Sequence, residues 1–230
     1  LKFGGSSLAD FACLQQVAQL VKQELKDEML LVLSAPGGMT DSLVALASAA
    51  EQGRDYSELW HALVNRCEQL KADVEAEFGA VDNWPNLNDL KNKLDGVALL
   101  TCCPDQVKAY VISFGERVSV ALMQRMLKES NAHYLEATDC IASVGGYIDA
   151  EADLAASKLR FREALKAAPS TIVPIIEPTY DSKRSAPIPA TSPTLSPTLS
   201  AIVAGLRGSS SGIPASTLPT KSAPTSAALV

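Results

Sequence analysis

The sequence is poor in the features that mark several large classes of protein. It has no basic excess: 20 Lys and Arg stand against 26 Asp and Glu, a formal net charge of −6. That leaves no electrostatic footprint for a nucleic-acid backbone or an anionic membrane surface. Histidine occurs twice, as His61 and His133, and the five cysteines (Cys13, Cys67, Cys102, Cys103 and Cys140) are odd in number, irregularly spaced and without a Cys-x-x-Cys. Such a set fits a reducing compartment, predicts no disulfide framework and gives a structural zinc site too few ligands. No apolar run approaches the length that crosses a bilayer. No charged leader with an apolar stretch and cleavage site opens the chain, so the cytoplasm is the expected location. No Gly-x-Gly-x-x-Gly follows an expected strand, which removes the dinucleotide-binding fingerprint of a dehydrogenase. The chain starts inside a strand pattern without methionine, and a segment of a longer product is expected.

What is present is a globular pattern, 47% hydrophobic and 20% charged over 230 residues, enough to bury a full core. Phe11, Leu14, Val17, Ala18, Val21 and Leu25 recur at three- and four-residue intervals and predict a helix over 8–25. The apolar run 29–33 predicts a strand buried on both faces, followed by a glycine loop. Thr40, Asp41 and Ser42 predict the cap of a helix over 43 to about 52. Helices are also expected over 56–78 and 84–100, the two forming an inserted helical layer. Pro104 predicts the start of another helix, a break at Gly115-Glu116 and a second helical stretch over 118–127. Strands are expected over 132–135 and 170–176, a turn at Gly145-Gly146 and a helix over 152–167. Strands alternating with helices predict an α/β fold whose ligands sit beyond the carboxyl ends of the strands, where both glycine loops fall.

After Tyr180 the character changes, and roughly half of the residues are Pro, Ser or Thr, a composition that buries too little apolar surface to order itself. The expected organisation is therefore a folded unit over 1–180 and a flexible or diverged segment over 181–230. One island, residues 201–206, fits a helical turn or a short strand.

Chemistry concentrates at the strand ends. Lys2-Phe3-Gly4-Gly5-Ser6-Ser7 combines a cation, two glycines and two hydroxyls at the entry to a helix, and Ser34 with Gly37-Gly38 forms a second loop beside it. Bare amides at a helix start attract an anion, so a phosphate site is one reading and an ordinary strand-to-helix turn the other. Thr40 suits an anionic group or a plain helix cap. Glu116 suits an ammonium group or a surface ion pair with Arg117. His61 and His133 read as a helix-face and a strand-end residue without a motif around them. Cys102-Cys103 reads as a packed helix start rather than a reactive thiolate.

Three ordered motifs carry a family resemblance: Lys2-Phe3-Gly4-Gly5-Ser6-Ser7, Leu33-Ser34-Ala35-Pro36-Gly37-Gly38-Met39-Thr40, and Phe114-Gly115-Glu116-Arg117-Val118-Ser119. Together they resemble the aspartate kinases of the amino acid kinase fold. The stretch from Leu99 through Cys103-Pro104-Asp105 to Glu116 is similar to the N-terminal kinase domain of the bifunctional aspartokinase and homoserine dehydrogenase proteins. The resemblance covers residues 1 to 176 and implies a three-layer α/β/α sandwich around a largely parallel central sheet. It further implies transfer of the ATP γ-phosphoryl group to the side-chain carboxylate of L-aspartate, with Mg2+ as the accompanying ion. Lys2 would be the catalytic cation, and Lys2, Gly4, Gly5, Ser6, Ser7 and Ser34 would hold ATP. Thr40 and Glu116 would hold aspartate, and no residue is assigned to metal. A homo-oligomer is implied for the full-length protein, with no nucleic-acid or membrane partner.

The chain also departs from that family. A Gly-Phe turn, a Gly-Arg-(Gly/Asn)-Gly-Ser-Asp loop and a Trp-Thr-Asp-Val-Asp-Gly segment are expected after the last central strand, and residues 181–230 contain none of them. These would supply an arginine for the substrate, a catalytic aspartate and much of the nucleotide pocket. Weak or absent transfer is therefore expected of this polypeptide. The rival readings are a non-catalytic nucleotide-binding or regulatory module, and another small-molecule kinase of the same fold.

Overall fold

In a computed structural model of the chain, residues 1–24, 29–130, 137–147, 150–167 and 172–175 are described. The first strand, β1 (Lys2–Phe3), runs into a short 3-10 helix, Gly5–Leu8, and then into α1 (Phe11–Glu24). Asp10 stops the two from merging into the single helix expected over 8–25. Its carboxylate accepts the Cys13 amide at 2.8 Å, so it caps α1. Leu14, Val17 and Val21 form the buried face that the spacing predicts.

The apolar run becomes β2 (Met29–Leu33), with Leu31, Val32 and Leu33 buried. It lies between β1 and β5 (Ile172–Ile175) in a parallel three-stranded sheet. Lys2 stands opposite Val32, Phe3 opposite Leu33, and Met29 opposite Ile172. Parallel neighbours end on the same edge, so the loops after β1 and β2 emerge side by side, as read from the sequence.

The helix after β2 begins earlier than the sequence implies. It spans α2 (Met39–Glu51) with Gly38 as its N-cap, at φ 76°, and no side chain caps it. Thr40, Asp41 and Ser42 therefore lie within its first turn instead of preceding it. The Ser42 hydroxyl donates back to the Gly38 carbonyl at 3.1 Å. A positive φ is readily available only to glycine, which is why the glycine and not a hydroxyl residue sets this boundary.

Helices α3 (Ser57–Phe78), α4 (Leu87–Leu100) and α5 (Asp105–Ile112) follow, with Asn86 capping α4 through the amides of Asn88 and Asp89 and Pro104 at the start of α5. The expected break at Gly115-Glu116 is displaced: Ser113 separates α5 from α6 (Phe114–Met126), and Gly115 and Glu116 lie in the first turn of α6. Gly115 is there for packing. A methyl on its Cα would sit 2.6 Å from the Ala35 side chain and 3.4 Å from Met39. Leu63, Cys67, Leu70 and Val74 of α3, Leu90 and Leu94 of α4, and Phe114, Val118 and Leu122 of α6 share one hydrophobic core with α1, α2 and β2.

Beyond a short helix α7 (Ala137–Cys140), β3 (Ser143–Val144) and β4 (Glu151–Ala152) form an antiparallel hairpin, and α8 (Leu154–Ala167) precedes β5. Gly145, at φ 102°, lies in the connection where a turn is expected. The strand expected over 132–135, with His133, and all of 181–230 lie outside the described residues. No helix among the described residues is long and apolar enough to cross a membrane.

Two glycine substitutions separate packing from helix propensity. Gly115→Ala is expected to destabilise by about 1–3 kcal/mol through overpacking against Ala35. Gly96→Ala, in the middle of α4 with nothing within 4 Å of the added carbon, is expected to stabilise by about 0.5–1 kcal/mol. Urea titration of both variants measures the pair.

Candidate active site

The site begins with a close approach. A methyl on Gly5 would lie 2.9 Å from the Ala35 carbonyl oxygen and 3.3 Å from the Gly37 Cα, and one on Gly37 would lie 3.0 Å from the Gly5 carbonyl oxygen. The two glycine loops are therefore in backbone contact, across a gap that admits hydrogen and not carbon. Main-chain bonds hold the strands beneath them: the Val32 amide donates to Leu1 at 2.8 Å and the Ser34 amide to Phe3 at 3.1 Å. Since Gly115 packs on Ala35 and Met39, the third motif reaches the same point.

That contact brings the sequence-chosen residues into one neighbourhood. Gly4, Ser6 and Ser7 are exposed on the first loop, Gly5 is half-buried, and Ser34 and Gly38 are respectively half-buried and exposed on the second. Thr40 directly follows Met39 and Glu116 directly follows Gly115, so each adjoins the Met39–Gly115 contact, and both are half-buried. Lys2 is a half-buried residue of β1, in register with Val32, two positions before Gly4.

The electrostatics favour an anion at the loops. Gly38 brings no side-chain oxygen to the start of α2; the Met39 amide donates to the Pro36 carbonyl at 2.9 Å and the Ser42 amide to the Gly38 carbonyl at 3.2 Å, and the turn between them has no side-chain cap to compete with a ligand. The exposed Asp41 carboxylate in that turn works against this. A cation that the sequence did not single out works for it. From α3, Arg66 Nη2 donates to the Gly37 carbonyl at 2.6 Å and to the Ala9 carbonyl at 3.2 Å. Its only sequence signal is its place beside the buried stripe of Leu63, Cys67 and Leu70.

Around Glu116 the neighbouring Arg117 guanidinium stacks on the Tyr110 ring, 4.7 Å from its centre. The Tyr110 hydroxyl donates to Asp89, which also pairs with Lys93 at 3.2 Å. Burial, then the Asp89 hydrogen bond, pushes the Tyr110 phenol up to about 12. The same bond, with Lys93, holds the Asp89 carboxyl below its usual range. Arg117 thus joins a network of stacked and hydrogen-bonded side chains between α4, α5 and α6.

The remaining nucleophile candidates are structural. Burial pushes the Cys67 thiol up to about 12. Cys103 is raised by burial, then by Glu51, so neither is poised as a thiolate. His61 is exposed on α3, as a helix-face residue.

The chain is similar to known proteins in sequence and in fold. The amino acid kinase family model matches residues 1–196. A bifunctional aspartokinase/homoserine dehydrogenase of Buchnera aphidicola subsp. Acyrthosiphon pisum (strain APS) is 30% identical over 172 residues, covering 69% of this chain and 21% of that protein. Lysine-sensitive aspartokinase 3 of Escherichia coli (strain K12) is 28% identical over 166 residues, covering 67% of this chain and 34% of its own length. Among solved structures, E. coli aspartokinase III in complex with aspartate and ADP superposes with a TM-score of 0.64 at 25% identity, over 76% of this chain and 39% of that one. The chain thus spans about a fifth to two fifths of these relatives.

The tyrosine network predicts an acid-side effect. A carboxyl with a depressed folded-state pKa contributes stability above its unfolded value near 3.9, and that contribution is lost as pH falls through the folded pKa. Tyr110→Phe should therefore raise the Asp89 pKa toward the ordinary value and flatten the loss of stability on acidification. Carboxyl NMR titration and acid denaturation of both proteins measure it.

Proposed function

The chain belongs to the amino acid kinase family, and from that premise we propose that it is the N-terminal part of an aspartate kinase, built to bind ATP and L-aspartate. The observation that carries the proposal is the meeting of three motifs: Gly5 on Ala35 and Gly37, and Gly115 on Ala35 and Met39. A phosphate-facing loop pair and an acceptor-facing pair, Thr40 and Glu116, thereby share one edge of the sheet. The relatives named aspartokinases, and the neighbour whose structure holds aspartate and ADP, support aspartate over other acceptors of this fold.

In this reading Gly4, Gly5, Ser6, Ser7 and Ser34 line the ATP phosphates with amides and hydroxyls, and Lys2 offsets charge on the γ-phosphoryl group in flight. Thr40 receives an anionic group of aspartate and Glu116 its ammonium. The aspartate side-chain carboxylate, ionised at neutral pH, forms a new O–P bond as the bond to the bridging β,γ-oxygen breaks, and ADP leaves with the electron pair. No protein nucleophile takes part, in keeping with the Cys67 and Cys103 thiols, which burial biases toward the protonated form. Magnesium would arrive with the triphosphate and offset its charge.

The finer architecture belongs to the same proposal. The parallel sheet and its helices are read as part of a three-layer α/β/α sandwich, with residues 1–180 as the kinase-like unit and 181–230 as a diverged remnant of the nucleotide-binding half. A cytoplasmic homo-oligomer is the proposed state of the longer protein. The absence from 181–230 of the Gly-Arg-(Gly/Asn)-Gly-Ser-Asp and Trp-Thr-Asp-Val-Asp-Gly segments favours, for this polypeptide, nucleotide binding with little or no transfer. Loss of such charged groups removes several kcal/mol of transition-state stabilisation, by the scale of about 3–4 kcal/mol for a single oxyanion donor.

Calorimetry with a non-hydrolysable ATP analogue, beside hydroxylamine trapping of aspartyl phosphate, tests both parts. Binding without hydroxamate is expected, and Lys2→Met should weaken the analogue about tenfold, near 1.4 kcal/mol. Failure to bind any adenine nucleotide would remove the nucleotide reading, and robust hydroxamate formation would overturn the expected inactivity.

A further inference from the structure

The Gly37-Gly38 peptide poses a problem of orientation. Close packing on Gly5 requires a glycine at 37, and the positive φ at the start of α2 requires one at 38. Rotating a peptide plane changes ψ of the residue before it and φ of the residue after it, and glycine resists neither change. The Met39 amide closes this turn on the Pro36 carbonyl at 2.9 Å, and a turn so closed still admits both orientations of its central peptide, the one between the two glycines. Its amide can serve a ligand only if something else fixes the direction it faces.

Arg66 fixes it. One guanidinium nitrogen donates to the Gly37 carbonyl at 2.6 Å and to the Ala9 carbonyl at 3.2 Å. The other terminal nitrogen lies 3.8 Å from where a Gly38 Cβ would stand. The described residues contain no cis peptide bond, and in a trans peptide the N–H points opposite to the C=O. With the Gly37 oxygen drawn to α3, the Gly38 amide faces away from α3. The same side chain ties the segment that follows the first loop to the second loop, because Ala9 comes directly after the Gly5–Leu8 helix and Gly37 lies in the second motif. Leu63, Cys67 and Leu70 bury the neighbouring face of α3 and anchor the arginine from behind.

Resting on the nucleotide reading above, we propose that Arg66 is a positioning residue for phosphate binding: it holds the Ala9 and Gly37 carbonyls and so sets the Gly38 amide toward the anion. A lysine could supply charge but not the fork that holds two carbonyls from one nitrogen in a fixed plane. Thr40 is held by the helical turn that follows this peptide and Glu116 by a different helix, α6, so the two ligands should respond differently.

The test uses the full chain with Arg66→Met and Arg66→Lys, the latter carrying the comparison if the former fails to fold. Two readouts are taken: calorimetric affinity for ADP and for L-aspartate, and hydrogen exchange at the Gly38 amide without ligand. Arg66→Met is expected to weaken ADP at least tenfold, to leave aspartate within twofold and to speed Gly38 exchange. Arg66→Lys is expected to fall between it and the wild type. Unchanged ADP affinity overturns the proposal, as does an equal loss for both ligands, which marks a merely structural role. If the wild-type chain binds no ADP, the nucleotide reading fails separately. Gly38 exchange then decides the remaining point: faster exchange upholds Arg66 as the group that sets the peptide, and unchanged exchange overturns it.

Discussion

Everything at the strand edge depends on two places where a side chain is missing. Between Gly5 and Gly37 the backbones approach until a carbon would meet a carbonyl oxygen at 2.9–3.0 Å, and at Gly115 a helix rests on Ala35 with no room for a methyl. Interiors are close-packed and yield little, so these contacts fix the spacing of three segments far apart in sequence. Once the spacing is set, loop amides, the start of α2 and the first turn of α6 face a common region. The sheet contributes the direction: parallel pairing of β1 with β2 delivers both loops to the same edge.

Contact by glycine has a cost, since it fixes distance and leaves peptide orientation free. The helical layer resolves this by lending a side chain from outside. Arg66 reaches from α3 to the Ala9 and Gly37 carbonyls, so a helix that reads as ordinary core packing also ties together the backbone around the two glycine loops. A second network, Arg117 on Tyr110 with Asp89 and Lys93, gives the first turn of α6 a comparable brace. Carbonyl strap and aromatic brace act through different physics, directional hydrogen bonding in one and desolvated stacking in the other.

Much of this was legible from residue spacing, and the misses share a form. The stripe Leu63, Cys67, Leu70 and Val74 gave the buried face of α3, and the run 29–33 gave a buried strand. Glycine is ambiguous in both directions: Gly115 resembles a break and lies inside a helix, while Gly38 sets the start of α2 that the side chains of Thr40, Asp41 and Ser42 suggest. A glycine that ends a helix and one that lets a helix approach its neighbour look alike in one dimension. Asp10 shows the reverse case, a cap within a stretch that periodicity alone ran together.

What the sequence determined alone was local or ordinal: which face of each helix is apolar, where a strand must be buried, and the order of three motifs. Periodicity suffices there because neighbours at i+3 and i+4 are fixed by helix geometry. Tertiary structure alone decided that residues 5, 37 and 115 share one contact region and that Arg66 belongs to it. Those relations depend on how elements cross and on which carbonyls turn toward a given guanidinium. Neither leaves a period in the chain.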